Sequence, residues 1–191
     1  MSAVATVARS SQVAPAALRF RWDQYQRMVD SGALDGVRVM FIDGELVPMA
    51  AMLEPHSCGV SLTLRELQRI FGVGFYVRPQ LPLRQGNHDP EPDLAVVIGG
   101  PRDYKRMPTA ALLVVEVADS SFYDDMGKKA EIYAAAGLAD YWVLDIEARR
   151  LLVFRDPSAT GYSTKQTFAE TECVAPLAAP SGSIRVADLL P

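Results

Sequence analysis

Two carboxylates stand at the mouths of two short apolar runs. Asp93 follows Pro92 and opens Leu94, Ala95, Val96 and Val97, while Glu116 interrupts the run from Leu112 to Val117. A short apolar run bounded by turn signals reads as a buried strand, and acids are rarely buried without a partner. Strand side chains alternate, so Leu112, Val114 and Glu116 share one face. An isolated carboxylate ion on that apolar face is costly, and a metal ion or a cation is the usual remedy. Two such acids in neighbouring strands could hold magnesium, a hard ion that binds through one or two protein carboxylates together with water and substrate phosphate. The competing reading is that Asp93 caps a turn after Pro92 and Glu116 pairs with a nearby base.

A lysine joins the pair. The segment from about Asp124 to Ala136 has helical spacing and stops at Gly137, and Ser121 with Asp124 forms a weak capping box. Asp125, Lys129, Ile132, Tyr133 and Ala136 fall on one stripe of this helix; Asp124, Lys128 and Glu131 fall on the other side. The apolar residues mark the inward stripe. Lys129 is therefore expected to face the sheet and Lys128 to sit in solvent beside Asp124.

The remaining elements must deliver these groups. Phe20 to Asp30 reads as a helix with Trp22, Tyr25 and Val29 on its packed face. Val37 to Ile42 and Glu45 to Val47 read as strands joined at Asp43-Gly44, a strong two-residue hairpin signal. A helix set up by Pro55 repeats Val60, Leu64, Leu67 and Phe71 and ends at Gly72 and Gly74. Phe75 to Leu83 reads as a strand whose prolines, Pro79 and Pro82, place it at an edge or bulge. Polar loops at 84–90 and 99–109 follow, the second placed to cover the cleft. Tyr141 to Leu144 and Leu151 to Phe154 read as consecutive strands, and Ile184 to Leu190 as a short closing element. The fold class is α/β or α+β: a single domain over 18–191 on one mixed central sheet flanked by helices, behind a loosely ordered tail at 1–17. No glycine-rich phosphate loop is present, since Gly99-Gly100-Pro101 has the wrong spacing.

As an ordered set, Asp43-Gly44-Glu45-Leu46, His56, Pro92-Asp93, Glu116 through Ser121, Asp125, Lys129, Tyr133, Gly137 and Tyr141 through Asp145 resemble the Uma family, proteins described as putative restriction endonucleases. The resemblance spans roughly 20 to 190. It implies the wider PD-(D/E)XK nuclease architecture, restriction-endonuclease-like, with a four- or five-stranded core sheet and a magnesium-dependent hydrolytic site in which manganese substitutes. Asp93 then matches the first metal ligand and Glu116 the acid of the E-x-K element, with the Val117 backbone carbonyl as a further ligand. Ala118 stands where the lysine of that element belongs. The resemblance implies that the lysine is displaced into the following helix, as Lys129, with Asp125 holding it. Glu45 is a candidate third acid, against an exposed strand-end charge; His56 is a candidate supporting residue, against a cap or packing role; and Gln80 is a candidate substrate contact, against an ordinary edge-strand polar group. Tyr133, Tyr141 and Trp142 read as core or partner-surface aromatics.

Composition narrows the classes. The chain has 191 residues, 49% hydrophobic and 22% charged, enough for one adequate core. Cys58 and Cys173, far apart and without ligand spacing, argue against a zinc site or disulfide framework and suit a reduced, cytoplasmic setting. No apolar stretch reaches the roughly 20 residues that span a bilayer, so no membrane partner is expected. The net charge of -4 argues against tight nonspecific nucleic-acid binding, although acids gathered at a metal site would contribute to it. The reading is a metal-dependent endonuclease acting on DNA, arranged as a homodimer because cutting two strands suits two symmetric sites. The alternative is an inactive nuclease-fold domain that binds DNA or protein.

Overall fold

Six of the strands form one sheet, with Phe75–Pro79, Leu94–Ile98, Leu113–Ala118, Asp140–Asp145, Arg150–Ser158 and Gly161–Ala169 lying side by side in that order. In the computed structural model the described residues are 18–49, 52–118 and 122–191, and the side chains of 122–126 fall outside the description. The expected tail at 1–17 and the capping pair of Ser121 with Asp124 thus lie outside the described residues. The chain runs through α1 (Trp22–Asp30), β1 (Val39–Ile42), β2 (Glu45–Pro48), α2 (Glu54–Phe71), β3 (Phe75–Pro79), β4 (Leu94–Ile98), a 3-10 turn (Pro101–Asp103), β5 (Leu113–Ala118) and α3 (Phe122–Ala135). It continues through β6 (Asp140–Asp145), β7 (Arg150–Ser158), β8 (Gly161–Ala169), β9 (Cys173–Val174), β10 (Ile184–Arg185) and a closing 3-10 turn (Val186–Leu189).

The sheet is mixed. β5 and β6 run parallel, with α3 as the crossover between them, and every other neighbouring pair is antiparallel. Strand alternation divides the core in two. Val96, Leu113, Val115, Val117, Trp142, Leu144, Leu151 and Val153 pack towards α2 through Val60, Leu67 and Phe71. On the other face, Ala95, Val114, Ala118, Tyr141, Val143 and Phe154 pack towards Tyr133 and Ala134 of α3. Each large apolar side chain fully removed from water contributes roughly 1.5–3 kcal/mol before entropy is charged against it, so both faces are needed.

Several sequence expectations change here. The sheet has six strands, not four or five; β8 reads as polar (Ser163, Thr164, Lys165, Gln166) because it is an edge strand with one face in solvent, and its partner β7 supplies the apolar side. β3 is the opposite edge, as its prolines indicated, but it stops at Pro79 because Gln80 adopts a left-handed backbone with φ 47°. Val29 is 45% exposed rather than packed; Tyr25 carries the buried contact of α1 by stacking on Phe41, ring centroids 4.6 Å apart. The Asp43-Gly44 hairpin forms with φ of 51° and 81°, as a two-residue turn with both centres left-handed requires.

Candidate active site

β4 and β5 set the site's frame. Leu94 pairs with Val115 in the antiparallel ladder, so the same register carried one step further places Asp93 opposite Glu116. Asp93 stands just outside β4, where its side chain takes over the bonding of the strand end. Its Oδ2 accepts the Val117 backbone N–H at 2.8 Å and lies 3.2 Å from His56 Nε2. His56 belongs to the first turn of α2, directly after Pro55. Gly59 allows that helix to come close, since a Cβ there would lie 3.0 Å from Val117 Cγ1 and 3.4 Å from Ile146 Cδ1. The packing glycine and the histidine therefore act together: one admits the helix to the sheet, the other uses the proximity.

Glu116 is 4% exposed. Lys129 Nζ donates to its Oε2 at 3.0 Å, and the Tyr133 hydroxyl donates to its Oε1 at 3.1 Å. Lys129 and Tyr133 are one turn apart on α3 and converge on the two oxygens of one acid, which fixes the carboxylate plane. Burial first, and then the negative charge of Glu116, push the Tyr133 hydroxyl well above its ordinary pKa. It stays a protonated donor throughout the neutral range. The spacing of Lys129 and Tyr133 was visible in the sequence, but reading the tyrosine as packing alone missed its bond to Glu116.

The structure brings Asp93, Glu116, Lys129, His56 and Tyr133 together. Other candidates go elsewhere. Glu45 pairs with Arg19 at 3.0 Å instead of joining the two acids. Among the described residues no group of three or more His, Cys, Asp or Glu side chains could hold a metal. Gln80 is next to Asp93 through its backbone, with its N–H on the Asp93 carbonyl at 3.0 Å, but its side-chain amide meets the Met52 sulfur. At Val117 the observed contact is the N–H on Asp93, on the same residue whose carbonyl was the candidate ligand. The Asp125 side chain lies outside the described residues. Lys128 does face outward and pairs with Asp43 of the β1–β2 turn at 3.0 Å, while the side chain of Asp124, its expected neighbour, lies outside the described residues.

The two acids fit a hard divalent cation. An ionised carboxylate offers about four lone-pair sites, so bonds to Val117, Lys129 and Tyr133 are compatible with a cation held by the same two groups.

Comparison with known proteins gives the family and the fold. No curated protein matches the sequence. A crystal structure of a "putative nuclease belonging to DUF820" from Anabaena variabilis superposes with a TM-score of 0.72, covering 89% of this chain and 97% of that one at 15% identity, which demonstrates a shared fold. The Uma2 family, described as "putative restriction endonuclease", matches residues 22–187, nearly every element above. The chain belongs to the Uma2 "putative restriction endonuclease" family.

Proposed function

We propose that the protein is a metal-dependent endonuclease that hydrolyses DNA phosphodiester bonds. The observation that carries this reading is the convergence of Lys129 on Glu116 at 3.0 Å, from a separate helix, with Asp93 in register opposite the same acid. Asp93 and Glu116, with the Val117 carbonyl, would hold magnesium or manganese; the bound ion supplies Lewis acidity towards the phosphate and a lowered pKa for water. Lys129 orients the attacking water or stabilises charge developing on the phosphoryl oxygens. Tyr133 and His56 act through the acids, holding their carboxylates in fixed orientations. Asp125 is proposed to hold Lys129. DNA as the polymer follows from the family rather than from any contact in this chain.

The reading includes a homodimer, since two symmetric sites cut two strands most simply, and a cytoplasmic setting. Light scattering that gives a monomer over a broad concentration range would reject the dimer. A second reading, an inactive nuclease-fold binding domain, is favoured by one observation: both oxygens of Glu116 already have donors, so the acid is compensated without a metal.

Supercoiled plasmid separates the two. Nicking and linearisation are expected with magnesium or manganese and not with chelator, and Asp93→Ala should lose both cleavage and the calorimetric heat of metal binding. Cleavage unaffected by chelator, or equal metal binding by both proteins, rejects the proposed site.

A further inference from the structure

Arg78 carries chemistry that the proposed site does not use. It lies on edge strand β3, opposite Ala95 of β4, which is itself opposite Val114, so Arg78 shares the sheet face of Glu116. Arg78 is 6% exposed. Its Nη2 donates to the Pro82 carbonyl at 3.3 Å, while Nε and Nη1 are buried without a hydrogen-bond partner. Among the described residues no carboxylate is within ion-pair distance of it. The Tyr104 ring lies over the guanidinium at 5.7 Å, and an arginine keeps its charge even where burial disfavours it. An uncompensated buried cation weakens the fold. A ligand bringing the opposite charge would account for it.

The cover over Arg78 is thin. Tyr104 is half-buried and follows the Pro101–Asp103 turn, flanked by exposed Arg102, Lys105 and Arg106. The one acid of that segment, Asp103, accepts the Gly100 backbone N–H at 2.7 Å. Three basic residues and one acid thus flank, in the chain, the tyrosine that lies over Arg78. Arg78 is two residues before Gln80, the residue just past β3 whose N–H bonds Asp93, and β3 is two strands from β5. Strand rise and spacing put its Cα about 12 Å from that of Glu116. That offset is about three to four times the axial rise per nucleotide of a duplex strand.

We propose that Arg78, with Arg102, Lys105 and Arg106 at its rim, is an oxyanion site for a backbone phosphodiester of the nucleic acid, separate from the phosphate that is cleaved. The choice of nucleic acid rests on the nuclease reading above; the oxyanion site rests on Arg78 itself.

The test uses the full chain in chelator, so that no cleavage intervenes, and compares wild type with Arg78→Met and Arg78→Lys. In phosphate-free buffer Arg78→Met is expected to melt higher than wild type, because it removes a buried charge, whereas an arginine serving only the fold would melt lower when replaced. Added inorganic phosphate should raise the melting temperature of wild type and leave Arg78→Met unmoved. Duplex DNA should bind Arg78→Met with a log-log salt slope shallower by about one, the signature of one lost phosphate contact. Arg78→Lys, which retains the charge, should recover most of that slope. A lower melting temperature or failure to fold in Arg78→Met overturns the proposal, as does an unchanged salt slope. A phosphate response without a slope change assigns the site to free phosphate and overturns the nucleic-acid ligand. Plasmid cleavage with manganese, measured separately, judges the nuclease reading: normal cleavage with an unchanged slope rejects Arg78 alone, and absent cleavage with an Arg78-dependent slope rejects catalysis alone.

Discussion

Glu116 and Asp140 are both buried acids bonded to a basic side chain, yet they occupy different kinds of site. Asp140 is fully buried at the start of β6; its Oδ1 accepts Trp142 Nε1 at 2.8 Å and Arg155 Nε at 2.9 Å, and its Oδ2 accepts the Leu177 N–H at 2.8 Å. Those partners tie β6, β7 and the segment after β9 into one unit. Glu116 instead meets two side chains of a single helix and stands opposite a second acid, Asp93, at a strand end. A buried ion pair is therefore weak evidence of function by itself. Two acids in register beside a lysine from another element make the stronger case, because structure alone has no need to bring like charges together.

The sharpest break between the two regions should come from the lysines of α3. Lys129→Met is expected to abolish plasmid cleavage, and Lys128→Met to leave it nearly unchanged, since the exposed Lys128–Asp43 pair contributes about 0–1 kcal/mol. Removing Lys129 alone also takes a positive charge away from the buried Glu116, so Glu116→Gln combined with Lys129→Met should regain stability in urea unfolding while staying inactive. Equal cleavage defects in the two single variants would remove the distinction between inward and outward lysine. Next in size is Asp140→Ala, expected to lose about 3–5 kcal/mol in urea unfolding because Arg155 and two N–H donors lose their acceptor. A loss below about 1 kcal/mol would show that Asp140 is not a structural counterpart of Glu116.

A smaller effect is expected at Tyr133→Phe, which removes one hydrogen bond to a charged group, about 1.5–3 kcal/mol, from a hydroxyl that bonds Glu116. If Tyr133 orients the acid, turnover should fall more than substrate affinity, measured as kcat against KM. A change in KM alone would leave it a packing residue. The smallest effect belongs to Asp89, a third buried acid, whose Oδ2 accepts the Tyr25 hydroxyl at 3.0 Å and whose Oδ1 has no hydrogen-bond partner. Burial raises its pKa above the ordinary value of about 3.9. A raised carboxyl pKa means that the native state binds the proton more tightly. Its contribution is complete below the unfolded value and is lost as pH rises through the folded one. Relative to Asp89→Asn, wild type should thus lose melting temperature as pH is raised through and above the carboxylate range; a constant difference across that range would refute the assignment.

Much was legible before folding. Apolar runs with one interrupting acid, the Asp43-Gly44 turn, and the stripe of Lys129, Ile132 and Tyr133 depend on periods of two and 3.6 residues, which are local properties of the backbone. They were sufficient for the mixed sheet, the hairpin and the inward lysine. The polar edge strand β8 was not legible, because a strand with one solvated face and no neighbour beyond it can be built from serine, threonine and lysine. Glu45, a candidate third acid, pairs instead with Arg19, and Lys128 pairs with Asp43 of a hairpin 85 positions earlier in the chain, a contact that local spacing does not carry.

What the sequence determined by itself was therefore which residues could be strand, helix or turn and which face of each would be apolar. Only the tertiary structure decided that Asp93 stands opposite Glu116, that Gly59 lets His56 reach Asp93, and that Arg78 is buried without an acid. Register between strands and the approach of a helix to a sheet arise from contacts between distant segments. Local periodicity constrains which faces meet but carries no distance between them.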